Sequence, residues 1–181
     1  LEDAGGCVVQ TTATVQTPFE VFADAGDDQS LCEGILPADV TGTGTNADIF
    51  TWTNLDGDTL SNDAILSINE SPGNYDYVLI ASNGLCENTD TLNVEVLTSP
   101  EVDAGLEMEV FAEEEFTLGG DPTSPTAVAY AWTPNTTGSL DTTMANPTGY
   151  ILETTLFTVQ VTDGNGCQNV DSVLITLIPD I

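Results

Sequence analysis

Lysine, arginine and histidine are wholly absent from this 181-residue chain, which carries 30 aspartates and glutamates and a formal charge of -30 at pH 7. Ordinary domains of this size hold roughly twenty basic side chains. Neutralising nucleic-acid phosphates requires Lys or Arg, and so does a polybasic grip on anionic lipid. A serine or cysteine nucleophile driven by histidine, a Schiff-base lysine, a P-loop lysine and a His-ligated zinc all lack their residue. What remains is the chemistry of carboxylates, hydroxyls, thiols and amides. A run of about 18 apolar residues is also missing, which excludes a transmembrane helix.

Acidity does not imply disorder here. The chain is 40% hydrophobic, with two Trp, four Tyr and six Phe, enough to bury a core. Its length suits one domain or two small ones. It starts at Leu1, with neither initiator Met nor secretory leader, and reads as a processed or excised piece of a longer product.

Internal repetition organises the rest. Asp24-Ala25-Gly26 returns as Asp103-Ala104-Gly105, and Phe50-Thr51-Trp52-Thr53 returns as Tyr130-Ala131-Trp132-Thr133, at steps of 79 and 80. Asn83-Gly84-Leu85-Cys86 and Asn165-Gly166-Cys167 each lie between two strand-like runs, 75–81 with 90–97 and 156–162 with 171–178. The same closing marker occurs as Asp3-Ala4-Gly5-Gly6-Cys7 ahead of Val8 to Val15. The expected organisation is the terminal strand of a preceding repeat at 1–22, one repeat at 23–99 and a second at 100–181. Short joints with Pro18, Pro100 and Pro179 favour stiff end-to-end stacking.

Each repeat alternates apolar and polar residues with period two, is rich in Thr and Val, and is broken every eight to twelve residues by Gly, Asn, Asp or Pro. Tyr75, Tyr77, Leu79 and Ala81 share one face; Phe157, Val159 and Val161 alternate with Thr158, Gln160 and Thr162. The fold class this predicts is all-β, an antiparallel sandwich of about seven short strands per repeat of about 80 residues. Helical spacing is missing apart from Val110 to Phe116, where Glu113-Glu114-Glu115 has the makings of a helical turn.

Trp52 and Trp132 read as core indoles; a sugar-stacking platform needs exposed rings, preferably several in a row. Cys32 and Cys86 flank Trp52, an order that in a β-sandwich predicts a Cys32–Cys86 disulfide, hence an oxidising compartment outside the cytoplasm. Phe111 occupies the place of Cys32 in the second repeat. Three arrangements stay open for Cys7 and Cys167: both free, Cys7 paired outside this chain, or bonds between subunits.

Carboxylates group in loops: Asp24, Asp27 and Asp28 at one junction, Asp56 and Asp58 in a turn, Asp103 at the next junction, and Asp163 with Asn165. Such oxygens suit calcium as a cofactor, although none is required and the same residues are what turns demand. Asn54 to Asp58 lacks the final glutamate of an EF-hand loop. Two carboxylates could serve as glycosidase acid and base, but nothing singles out a pair and small tandem sandwiches offer no deep cleft, so the expectation is a non-catalytic protein. Asn69-Glu70-Ser71 and Asn135-Thr136-Thr137 match the N-glycosylation sequon.

Asp-Ala-Gly-Asp-Asp-Gln-Ser-Leu-Cys-Glu-Gly at 24–34, Tyr-Ala-Trp-Thr-Pro at 130–134, Asn-Pro-Thr at 146–148 and Phe-Thr-Val-Gln-Val-Thr-Asp-Gly-Asn-Gly-Cys at 157–167 together resemble the PKD-like and Ig-like repeats of very large Bacteroidetes surface proteins. These include gliding-motility adhesins and other cargo of type IX secretion. The resemblance spans nearly the whole chain and departs from the pattern at Phe111, where the first cysteine is often found. It implies tandem Ig-like/PKD-like sandwiches acting as stalks. Asp58-Thr59-Leu60, Asp90-Thr91-Leu92, Asp141-Thr142-Thr143 and Asp171-Ser172-Val173 are similar to motifs that carry O-linked glycans in secreted Bacteroidetes proteins. The placement of Asp90 and Asp171, four residues after equivalent cysteines, also fits the start of a shared edge strand.

The function these observations predict is a structural stalk or filament segment of an extracellular, cell-surface adhesin. Its partners would be neighbouring repeats of the same protein, a homo-oligomeric filament and a surface or glycan target, with no nucleic acid and no membrane insertion. The rivals are a carbohydrate-binding accessory module of a secreted enzyme and a polymerising surface-layer subunit that uses residues 1 to 20 for strand addition. Uniform negative charge fits an exposed coat in a saline habitat.

Overall fold

The computed structural model describes residues 19–134 and 140–179. The strand expected over 8–15, Cys7 and the sequon at 135–137 lie outside them. Alternation of apolar and polar residues produces strands nearly throughout. In the first sequence repeat they are β1 (Phe22–Asp24), β2 (Gln29–Cys32), β3 (Ala38–Thr41), β4 (Thr43–Thr45), β5 (Ile49–Asn54), β6 (Thr59–Ser61), β7 (Ile65–Ile68), β8 (Gly73–Ser82) and β9 (Glu87–Leu97). The second holds β10 (Met108–Val110), β11 (Phe116–Thr117), β12 (Ala127–Thr133), β13 (Thr148–Gly149), β14 (Thr155–Asp163) and β15 (Gln168–Leu177). Among the described residues the observed fold class is thus the expected all-β one.

The two repeats share their pairing scheme. One sheet has the order β2-β9-β8-β5-β6, its counterpart the order β10-β15-β14-β12, and β3-β7 matches β11-β13. In both, a short first strand runs parallel to the last long one, with Cys32 opposite Leu97 and Val110 opposite Leu177. β9 and β15 are therefore inner strands with a neighbour on each side, where the sequence reading placed the start of an edge strand at Asp90 and Asp171. The remaining pair, β1-β4, brings Phe22 opposite Thr45.

Two departures from expectation are local. Val110 to Phe116 forms no helix: the Glu114 N–H donates to the Phe111 carbonyl at 3.1 Å and the Phe111 N–H donates to Glu114 Oε2 at 2.8 Å. Together they close a tight turn, with Glu113 in the left-handed region at φ 62°. A short 3₁₀ turn, Glu33–Ile35, follows β2 unannounced by any periodicity.

The described residues form two compact units, one of 19–27, 41–66 and 76–92, the other of 28–40, 67–75, 93–134 and 140–179. In the first, Trp52 is wholly buried and its Nε1–H donates to the Ala64 carbonyl at 3.1 Å. Gly42 lies so close that a Cβ there would stand 2.9 Å from the indole Cζ2 and 2.5 Å from Leu79 Cδ2. In the second, Val110, Phe116, Trp132, Phe157, Val159, Val161, Val173 and Ile175 form one apolar core. The Phe116 ring, from β11, meets that of Phe157, from β14, with centroids 5.9 Å apart, so two sheets pack across this core. Trp132 repeats the polar anchor of Trp52, donating from Nε1 to the Met144 carbonyl at 3.1 Å.

Candidate functional site

The hairpin between β14 and β15 is closed by one carboxylate. Asp163 Oδ1 accepts from the N–H groups of Asn165 and Cys167, both at 2.9 Å, while the Asp163 N–H donates to the Cys167 carbonyl at 3.0 Å. Gly166, at φ 87°, supplies the left-handed residue this turn needs. The turn delivers Cys167, fully buried, to Cys32 at the end of β2, and the two form a disulfide with Cα atoms 5.5 Å apart across 135 residues of sequence. Cys32 belongs to the first sequence repeat and Cys167 to the second.

This corrects the expected Cys32–Cys86 bond: Cys86 is a free, half-buried thiol. Strand register gives the reason. Cys32 lies opposite Leu97, whereas Cys86 precedes Leu97 by eleven residues and stands just before β9 begins. At about 3.3 Å per residue this separates Cys86 from the Cys32 register by roughly 35 Å, far beyond the 7 Å or so that a disulfide tolerates between Cα atoms. The place of Cys32 in the second repeat holds Phe111, which is partly exposed.

Polar contacts lie close to the disulfide in sequence. Glu33 Oε1 accepts from the Ser99 N–H at 2.9 Å, and Asn169 Nδ2 donates to the Pro100 carbonyl at 2.9 Å. Gly34 sits tightly beneath, where a Cβ would be 3.1 Å from Ser99 Oγ and 3.5 Å from the Gln168 carbonyl oxygen. Sequence reasoning missed Glu33, Gly34, Ser99 and Asn169 as a group. The only available signal was that Cys167 had no partner in its own repeat.

The carboxylates proposed as calcium ligands are distributed over separate turns. Asp24 Oδ1 accepts from the Gly26 N–H at 3.0 Å, and Asp103 Oδ1 from the Gly105 N–H at 2.8 Å. Asp28 Oδ1 accepts from the Asn93 N–H at 2.9 Å. Asn54 Nδ2 donates to Asp58 Oδ2 at 3.1 Å, and Asn54 Oδ1 accepts from the Asp58 N–H at 2.8 Å. Asp27, Asp56 and Asn165 are exposed. Among the described residues no three acidic or thiol side chains gather as a metal group would. Asp163, like Asp24 and Asp103, caps its own turn.

Two further carboxylates have a role the motif reading did not give them. Asp90 Oδ2 accepts from the Ala25 N–H and Asp171 Oδ2 from the Ala104 N–H, each at 2.8 Å. Each thereby latches the Asp-Ala-Gly turn of its repeat to the last long strand. At Asp141 the Thr143 hydroxyl, and then the Thr143 N–H, hold the carboxyl below the usual range.

No family model matches the chain, and no curated protein matches it. Solved structures similar to it include PKD, immunoglobulin and fibronectin(III)-like domains. The PKD domain from KIAA 1837 protein is 24% identical, with 46% of this chain and 94% of that one covered and a TM-score of 0.38. Extracellular domains 3–5 of Drosophila OTK are 12% identical, covering 83% and 58% respectively, with a TM-score of 0.41. The fibronectin(III)-like modules of Clostridium thermocellum CbhA are 12% identical, covering 87% and 94%, with a TM-score of 0.38. The fold assignment rests on the strands and their pairing, not on these distant likenesses.

Proposed function

We propose that this chain is a structural segment of an extracellular surface filament or adhesin stalk, built from tandem sandwich repeats and without catalytic activity. The observation that carries the reading is the Cys32–Cys167 disulfide, which covalently joins residues of two successive sequence repeats. A bond in that position stiffens a tandem array, which is what a spacer needs and what a freely jointed set of binding modules does not. A disulfide is also what an oxidising compartment favours, which supports a cell-surface location. Export as type IX cargo of a Bacteroidetes cell belongs to the same reading and rests on the motif resemblance.

Both indoles lie inside, at 0% and 2% exposure, which removes the aromatic platforms that a carbohydrate-binding module would most readily use. The uniform negative charge keeps neighbouring stalks apart. Negative-stain microscopy of the native assembly tests the proposal directly: long thin rods are expected, and compact particles would overturn it. A glycan array separates the binding-module alternative, because a stalk segment gives no signal above background on any ligand class.

A further inference from the structure

We infer that Cys86 is a second cross-linking site of the same kind, whose partner is a cysteine at the position of Cys32 in a further sandwich repeat. The inference rests on the stalk reading and deepens it.

Cys86 and Cys167 are the same residue of the repeat. They stand 81 positions apart, each at the end of the turn that joins the two longest strands of its repeat. The turns are built alike. Asn83 Oδ1 accepts from the N–H groups of Leu85 and Cys86 at 3.0 and 2.9 Å, as Asp163 Oδ1 does from Asn165 and Cys167 at 2.9 and 2.9 Å. The Asn83 N–H donates to the Cys86 carbonyl at 3.2 Å, as the Asp163 N–H does to that of Cys167 at 3.0 Å. A left-handed glycine serves both, Gly84 at φ 82° and Gly166 at φ 87°.

The difference lies in what each thiol meets. Cys167 is sealed in a disulfide with a residue of the repeat that precedes its own in the sequence. Cys86 is a half-buried free thiol, and Leu85 beside it is 87% exposed at the tip of its turn. A large apolar side chain held in solvent next to an unpaired thiol fits a surface that becomes covered.

The chain also restricts who can cover it. Cys32 is already committed to Cys167, and the second repeat carries Phe111 where Cys32 stands. A second copy of this chain therefore offers no free cysteine of the required type. The partner is a different repeat of the same architecture with its own cysteine at the end of its first sheet strand. Bond formation needs an oxidant, and a small-molecule disulfide such as oxidised glutathione suffices. The Cys86 thiolate attacks it, forming a mixed disulfide and releasing one glutathione thiol. The partner thiolate then attacks the Cys86 sulfur and expels the second. Two protein thiols are oxidised, one small disulfide is reduced, and the two protons end on the released thiols.

The test is disulfide mapping of the protein isolated without reductant from the cells that make it. Free thiols are alkylated, and cleavage at acidic residues replaces trypsin, which has no site in this chain. The expected result is Cys86 linked to a cysteine-bearing peptide that shares the repeat markers but lies outside these 181 residues. Recovery of Cys86 as the alkylated thiol, as a glutathione adduct or linked to Cys7 would overturn the inference. Microscopy of the same preparation separates the two proposals: rods with alkylated Cys86 sink only the second cross-link, whereas compact particles sink the stalk.

Discussion

The carboxylate of Asp171 holds the backbone N–H of Ala104 at 2.8 Å, and 81 residues earlier Asp90 holds that of Ala25 at the same distance. Ala104 is wholly buried, so its N–H has no water to turn to. Removing the acceptor in Asp171→Ala leaves that donor orphaned, at a cost of about 2–3 kcal/mol; Asp171→Asn keeps a neutral acceptor and costs about half as much. Asp90→Ala follows the same order. Urea unfolding of the variants checks this, and equal midpoints for Asp171→Ala and wild type would show that the latch adds no stability.

These latches also mark how far the sequence could be read. Period-two alternation, the recurring Asp-Ala-Gly and the two Trp were local patterns, and each maps onto the strand, turn or core position it implied. Asp90 and Asp171 stood out only as parts of a short motif, because a hydrogen bond reaching 65 or 67 residues along the chain leaves no local trace. The disulfide failed to be legible for the same reason in stronger form. Choosing among three possible partners for Cys32 requires knowing the register of β2 on β9, and a parallel pairing between strands far apart in the sequence is not written in spacing. The carboxylates named as calcium ligands could not be sorted from turn caps by sequence, because capping a turn and ligating a cation select the same side chains.

Loss of the Cys32–Cys167 bond should be costly. Closing a loop over a separation of 135 residues constrains the unfolded chain by about 4–5 kcal/mol in the chain-entropy treatment. Cys167→Ser is expected to lower stability by up to that amount, while Cys86→Ser, at a free thiol, leaves it within about 0.5 kcal/mol. Calorimetry of both variants under non-reducing conditions decides; a large loss for Cys86→Ser with little for Cys167→Ser would mean that Cys86, not Cys167, shares the bond.

Gly42 reports on how tightly the first Trp is packed. Its methyl-bearing variant, Gly42→Ala, puts a carbon within 3.0 Å of Leu79 Cδ1 and closer still to Leu79 Cδ2 and the Trp52 ring. Overpacking of this kind costs about 1–3 kcal/mol. Near-ultraviolet circular dichroism should change with it, since Trp52 must shift. An unaltered spectrum and an unaltered melting temperature would show that the gap accepts a methyl group.

Asp141 offers a pH readout at a single residue. The Thr143 hydroxyl donates to its Oδ1 at 2.7 Å and the Thr143 N–H at 3.1 Å, and both bonds favour the charged form. A carboxyl depressed on folding adds stability above its unfolded pKa, and that stability is lost as the pH falls through the lower, folded value. The group is fully exposed, so the expected signature is spectroscopic. In NMR titration Asp141 should lose its proton at lower pH than an ordinary aspartate, and Thr143→Val should move the midpoint upward. An unmoved midpoint would assign the shift to another cause.

Salt separates diffuse charge from a built cation site. With a formal charge of -30 and no side-chain cation, side-chain electrostatics is repulsive throughout, and no side-chain ion pair exists for salt to weaken. Raising NaCl from about 0.01 M to about 1 M shortens the Debye length from about 30 Å to about 3 Å, so the melting temperature should climb steadily across that range. Calcium and magnesium at equal concentration should each raise it further and by similar amounts. The reason is that Asp24, Asp28, Asp58, Asp103 and Asp163 each serve a turn or strand contact of their own. A rise specific to calcium, reversed by chelator and accompanied by a stoichiometric binding heat, would show that these loops rearrange around the ion, and the turn bonds would then have to break as it binds.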